Sequence, residues 1–205
     1  MVLALATTPG FRLLPARLDA VAQRSLADEV LRLTETAPFY RPITPMGKAM
    51  SVAMTNLGPL GWMTDSAGYR YQATHPVTGA RWPSIPSTLL ALWAELGDAA
   101  TPPDCCLVNL YDASARMGLH RDGDEADFRF PVLSVSLGDT AIFRLGGPRR
   151  SDPTVRLRLS SGDVAVLGGD ARRAYHGVDR ILAGSSRLLA DGGRLNLTLR
   201  RAAPA

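Results

Sequence analysis

Arg194-Leu195-Asn196-Leu197-Thr198-Leu199-Arg200 alternates polar and apolar residues without interruption. In an extended strand successive side chains point to opposite sides, so three leucines share one face. Arg194, Asn196, Thr198 and Arg200 share the other. Upstream, the short runs Val164–Leu167, Val155–Leu159, Ala141–Leu145, Val132–Leu137 and Cys106–Tyr111 also read as strands. Gly192-Gly193, Ser161-Gly162-Asp163, Gly146-Gly147-Pro148 and Gly138-Asp139 punctuate them as turns. Many short strands at this spacing predict a sandwich or jelly roll.

The first half of the chain has a different texture. Between Pro15 and Leu33, the residues Leu18, Val21, Ala22, Val30, Leu31 and Leu33 roughly follow a helical period. A second helix is expected from Ser84-Ile85-Pro86 through Leu89, Leu90, Leu92, Trp93 and Leu96, ended by Gly97. Between them Met50 to Asn56 reads as a strand, and residues 58–83 are rich in Gly, Pro and aromatics. No repeat or linker divides the 205 residues, enough for one domain with a real core. The expectation is a mainly β chain with flanking helices packed outside.

Apolar content of 46% and charged content of 20% are those of an ordinary globular protein. Lys+Arg 23 against Asp+Glu 19 gives +4, compatible with a polyanionic partner. Lys48 is the single lysine, so the positive charge is arginine, suited to bidentate phosphate or carboxylate contacts; arginine-favouring codon usage would account for it equally. Cys105 and Cys106 are adjacent, which disfavours a bridge between them, and read as buried thiols in a reducing compartment. Met1 to Ala6 is apolar but too short for a signal segment, and no run reaches the roughly 18 apolar residues that a bilayer span needs. The reading is therefore a cytoplasmic monomer without a membrane partner.

Two of the three histidines stand in informative settings: His120-Arg121-Asp122, and His176 in Tyr175-His176-Gly177. Two imidazoles and one carboxylate are the ligand set of the facial triad that binds iron(II) and leaves positions open. Residues i and i+2 of an extended segment share a face, so His120 and Asp122 can converge, while His176 must come from another strand. The plain alternative is that His-x-Asp has arisen by chance and both histidines are surface or hydrogen-bonded residues. His75, in Thr74-His75-Pro76, reads as a loop residue.

The arginine strand also has two readings. It could be an edge strand with its polar face in water. Alternatively it could present Arg194 and Arg200, roughly 20 Å apart along the strand, to a dicarboxylate such as 2-oxoglutarate, with Asn109 and Tyr111 as neutral donors.

His120-x-Asp122, His176 and the Arg194-to-Arg200 strand together resemble the signature of the AlkB-type iron(II)- and 2-oxoglutarate-dependent dioxygenases, most of all the bacterial DNA-repair branch. The likeness extends through Met50 to Asn56, Leu60-Gly61-Trp62, Gly68-Tyr69-Arg70-Tyr71, Trp82-Pro83, Asn109-x-Tyr111, Val135 to Gly138, Ala141-Ile142-Phe143 and Arg149 to Pro153, covering about residues 38–201. The resemblance implies a double-stranded β-helix over about 104–201 and an N-terminal nucleotide-recognition lid over about 38–83. It implies Fe(II) on His120, Asp122 and His176, and 2-oxoglutarate held by Asn109, Tyr111, Arg194, Asn196 and Arg200, with O2 as co-reactant. Trp62, Tyr69, Asp124, Met54, Thr44 and Arg150 match substrate-side positions, and Arg70, Arg149 and Arg150 are candidates for phosphate contacts.

The implied reaction is oxidative dealkylation of 1-methyladenine or 3-methylcytosine, releasing formaldehyde. The implied partner is alkylated single-stranded DNA, with double-stranded DNA or RNA as alternatives. Ser114, Leu195, Leu199 and Leu167 depart from the family pattern without removing a ligand. Three rivals stay open: the same chemistry on RNA, protein or a small molecule; a nucleic-acid-binding module with a structural metal; and a zinc hydrolase, which also uses two histidines and a carboxylate.

Overall fold

The computed structural model describes residues 8–204. The apolar segment Met1 to Ala6 lies outside the described residues. In chain order the elements are β1 (Phe11–Leu14), α1 (Ala20–Leu33), β2 (Ala53–Leu57), β3 (Gly61–Asp65), β4 (Gly68–Gln72), α2 (Ser87–Leu96) and β5 (Cys105–Tyr111). They continue with β6 (Met117–His120), β7 (Val132–Gly138), β8 (Thr140–Leu145), β9 (Val155–Leu159), β10 (Val164–Leu167), β11 (His176–Leu182) and β12 (Arg194–Arg200). A short 3-10 turn, Gly169–Arg173, links β10 to β11.

Two sheets make the core. One has the strand order β1-β10-β7-β12-β5-β2, the other β6-β11-β8-β9, and β3 and β4 form a separate hairpin. Every pairing is antiparallel. This is the jelly roll expected of the double-stranded β-helix.

The six-stranded sheet is covered on both sides. On one, α1 and α2 bury Leu26, Ala27, Val30, Leu89, Leu92 and Trp93 against the sheet, where Leu195, Leu197 and Leu199 of β12 meet them. On the other, Leu107, Val132 and Leu167 pack across the interior with Phe143, Leu157 and Val178 of the four-stranded sheet. Strand β12 lies between β7 and β5, and all seven of its residues are buried. The edge-strand reading is thereby overturned: the polar face of β12 looks into the protein's interior, not into water.

Several boundaries differ from the sequence expectations. Helix α1 starts at Ala20, because the Asp19 carboxylate caps it by accepting from the Ala22 amide at 2.8 Å. Its buried stripe is Leu26, Ala27 and Val30, while Val21 is 78% exposed and Leu31 39%. The residues ahead of it form β1, whose four residues are too few to show a period. Strand β2 falls within residues 38–83, yet it pairs with β5 in the core sheet, so only part of that span stands apart from the core. Cys105 and Cys106 are buried free thiols on β5, and burial pushes the Cys105 thiol up to about 12. No helix among the described residues is long and apolar enough to cross a membrane.

Leu197 is 0% exposed at the centre of the larger sheet. Leu197→Ala is expected to lower the unfolding free energy by about 2–5 kcal/mol in urea denaturation; a loss below about 1 kcal/mol would contradict this packing.

Candidate active site

His120 ends β6 and His176 begins β11, and the two are directly opposite in the antiparallel pair. Their ring centroids lie 4.5 Å apart. The strands can approach this closely because residue 177 is glycine: a Cβ there would lie 2.6 Å from the Met117 carbonyl oxygen. Asp122 follows two residues after His120, with its carboxylate oxygens 4.0 Å from His120 Nε2 and 3.7 Å from His176 Nε2. One ligand atom from each residue falls within 4.8 Å of the others.

The tautomers suit a metal. His120 Nδ1 is 2.9 Å from the Gly118 carbonyl oxygen and His176 Nδ1 3.0 Å from that of Ala174. A carbonyl can only accept, so each Nδ1 carries the proton and each Nε2 offers a lone pair. Burial and the neighbouring His120 push His176 down to about 4, so it is neutral at ordinary pH. Burial opposes ionisation of Asp122, but Arg200 and the two histidines outweigh it and hold the carboxyl well below its ordinary range. Two imidazoles with Nδ1 turned to a carbonyl, and an ionised carboxylate, side by side and part-open to a cavity, fit a divalent cation.

Two cavities meet at this point. The inner one offers about 60 Å³ to the centres of water molecules and runs between the sheets from His120 and Asp122 to Arg194. At its end Arg194 is 1% exposed. Its Nη2 donates to Ser136 Oγ at 3.0 Å, while Nε and Nη1 have no partner among the described residues. The guanidinium lies 5.4 Å from the Tyr111 ring centroid, and the Oδ1 of Asn109 in the same cavity is also unpaired. A buried cation with two unpaired donors has a strong demand for an anion. The inner cavity therefore fits a dicarboxylate with one end at Arg194 and the other near the triad. Asn196 lines it too, but its amide already donates to Ser134 Oγ and Val135 O, at 2.6 and 3.2 Å.

The outer cavity is larger, about 260 Å³, and is walled by Met54, Trp62, Tyr69, His120 and Asp124. Trp62 is fixed at both ends. The Asn56 amide, on β2, takes the Trp62 N–H and donates to its carbonyl, each at 3.0 Å, and the indole Nε1 donates to Asp124 at 2.9 Å. The Trp62 and Tyr69 rings stack, with centroids 5.7 Å apart. Thr44 and Arg150 do not line this cavity: the Thr44 hydroxyl accepts from the Lys48 amide, and Arg150 Nη1 donates to the Leu119 carbonyl. His75 is in a loop but buried, its Nε2 donating to the Pro38 carbonyl at 2.8 Å, which makes it a structural residue.

Sequence reasoning missed a buried ionic network beneath the triad. Arg200 Nη2 donates to Asp122 at 2.8 Å and its Nη1 to the Tyr71 hydroxyl at 3.3 Å. Tyr71 in turn donates to Glu125 at 2.8 Å, and Glu125 pairs with Arg172 at 3.0 Å. Arg172 also donates to the backbone carbonyls of Asp122 and Phe130. Two carboxylates balance two guanidiniums, so the network is neutral overall. The only sequence signal was a charged residue, Glu125, three positions after a ligand.

The family described as the 2OG-Fe(II) oxygenase superfamily matches residues 10–200 of this chain. The chain is 63% identical over 198 residues to the "Alpha-ketoglutarate-dependent dioxygenase AlkB homolog" of Caulobacter vibrioides (strain NA1000 / CB15N), covering 97% of this chain and 90% of that protein. It is 33% identical over 223 residues to the "DNA N(6)-methyladenine demethylase ALKBH1C" of Arabidopsis thaliana, covering 94% of this chain and 48% of that one. A solved structure described as the structure of OsALKBH1 superposes with a TM-score of 0.80 at 33% identity, over 96% of this chain and all of the other.

Removing Glu125 would leave Arg172 charged and uncompensated in the interior. Glu125→Ala is expected to cost about 3–5 kcal/mol of stability and to weaken metal binding by about 10–100-fold, read by denaturation and by cobalt(II) titration. Unchanged metal affinity would mean that the network does not hold Asp122.

Proposed function

The chain belongs to the 2OG-Fe(II) oxygenase superfamily, and from that premise we propose that it oxidatively removes alkyl groups from nucleobases, as a DNA-repair dealkylase. One observation carries the reading: an inner cavity ending in an unsatisfied buried arginine and an outer, aromatic-walled cavity share His120 and Asp122. A cosubstrate and a flat substrate can thus reach one metal from opposite sides. His120, Asp122 and His176 would hold iron(II). Arg194 and Tyr111, with Asn109, would hold 2-oxoglutarate at its far end, and Arg200 and Asn196 along its length.

When bound, iron(II) with 2-oxoglutarate and dioxygen supplies oxidation of an N-alkyl C–H bond, the cosubstrate leaving as succinate and carbon dioxide. The hydroxylated carbon then departs as an aldehyde, formaldehyde from a methyl. The protein's part is to hold the base. Trp62 and His120 line the outer cavity and can cover the two faces of an extruded base. Asp124, kept in place by the Trp62 indole, suits the positive charge of 1-methyladenine or 3-methylcytosine. Met54 and Tyr69 complete the wall; Thr44 and Arg150 would act, if at all, outside it.

The favoured substrate is alkylated single-stranded DNA, where the base is already accessible, with duplex DNA and RNA as alternatives. Action as a monomer is part of the proposal. The buried free thiols support a reducing, cytoplasmic setting.

The test is anaerobic loading with iron(II) and 2-oxoglutarate, then oxygen, with a single-stranded oligonucleotide carrying one 1-methyladenine. Mass spectrometry is expected to show loss of one methyl with matching succinate, and His120→Ala to abolish both. Succinate without demethylation would make the substrate assignment wrong. Oligonucleotides differing only in sugar separate DNA from RNA.

Base–aromatic stacking is worth about 1–3 kcal/mol. Trp62→Ala should therefore raise the oligonucleotide KM at least about fivefold while substrate-free 2-oxoglutarate turnover continues. An unchanged KM would remove Trp62 from the base site.

A further inference from the structure

The arginines that the sequence offers for phosphate contacts are mostly engaged elsewhere. Arg70 is held by Asp65 through two hydrogen bonds of 2.9 and 2.7 Å, and Arg149 by Asp152 at 3.0 Å. Two others are not. Arg121 and Arg173 are exposed, and among the described residues neither has a carboxylate oxygen within 4.0 Å. Each instead lies against an aromatic ring, Arg121 at 5.8 Å from the Tyr175 centroid and Arg173 at 5.4 Å from that of Phe128. Ring contact restrains a guanidinium plane and leaves its N–H edge free to donate.

Both arginines line one open groove of about 540 Å³, with Pro148 and Gly169. Among the described residues Asp170 is the one acid in its lining, so the two guanidiniums leave it net positive. Arg121 also lines the outer cavity of the active site. It sits between His120 and Asp122, so its backbone is fixed relative to the proposed metal. Arg121 thus borders both the groove and the base chamber.

We propose that Arg121 and Arg173 form a phosphate track that carries the polynucleotide strand away from the base chamber. The inference rests on the base-dealkylation reading and deepens it. An extruded base stays attached to its backbone, so a strand whose base fills the chamber must leave across the rim. Arg121 stands on that rim and meets the nearest phosphodiester; Arg173, further along the groove, meets a following one. Such contacts carry affinity without sequence preference, because phosphates are the same at every nucleotide.

The test is the salt dependence of binding to an unmodified, fluorescently labelled single-stranded heptanucleotide, followed by anisotropy. Each phosphate contact on a single strand contributes about 0.7 to the slope of log affinity against log salt. The double variant Arg121→Gln/Arg173→Gln should flatten that slope by about 1.4. Arg158→Gln, which removes an exposed arginine from β9, controls for net charge and should leave the slope unchanged. An unchanged slope in the double variant, or equal flattening per charge in the control, overturns the proposal. The dealkylation reading is scored separately, on the wild-type chain with the same heptanucleotide carrying 1-methyladenine: no demethylation there sinks that reading, and the phosphate track stands or falls on the slope alone.

Discussion

Two guanidinium groups are taken out of water by one central strand, and most of the architecture follows from satisfying them. Burying an isolated charge is prohibitive unless something pairs with it. Arg200 is met by Asp122, a proposed metal ligand, and through Tyr71 by Glu125. Among the described residues, Arg194 is met only by the Ser136 hydroxyl and the face of Tyr111. The strand thus carries one cation whose charge is balanced by carboxylates of the protein and one that waits for an anion. The first fixes the metal end of the inner cavity, and the second selects what fills its far end.

This division makes the leucine face as necessary as the arginine face. A strand bearing two buried arginines is held in the sheet only if its other side is packed well, and Leu195, Leu197 and Leu199 are all 0% exposed beneath the helices. The helices carry none of the residues proposed for the site. They keep water from the back of the sheet, so that β12 can present its polar residues forward at fixed depth. The cross-strand pairing of His120 with His176 supplies the opposing wall, and Gly177 permits the close approach of β6 and β11.

What could be read from the sequence was what has a local signature. Strict alternation marked β12, short apolar runs between turn residues marked β5, β7, β8, β9 and β10, and the rarity of histidine drew attention to His120 and His176. What was hidden depends on distance in the chain. The pairing of Glu125 with Arg172 spans two loops, and nothing near either residue announces it. Strands β6 and β11, which carry the histidines, do not alternate cleanly and were not marked. The hairpin β3–β4 was masked by its glycines, one of which is required: a Cβ on Gly61 would come within 2.4 Å of the Trp82 ring. Alternation in β12 gave two faces but could not say which one met water, because that depends on what covers the sheet.

The proposed base site adds a constraint on how a damaged base could be recognised. Asp124 is exposed, and in bulk water a unit charge at about 4 Å is worth only about 1 kcal/mol. At an effective dielectric of about 20 the same pair is worth about 4 kcal/mol. The carboxylate gains discriminating power only once water has been displaced, and a base between Trp62 and His120 would itself displace it. Asp124 also holds the Trp62 indole, so one carboxylate both sets the ring that excludes water and supplies the charge that the exclusion strengthens. A neutral base can fill the same space and gains the stacking alone. Selectivity for a cationic lesion then follows from coupling the two effects in one residue.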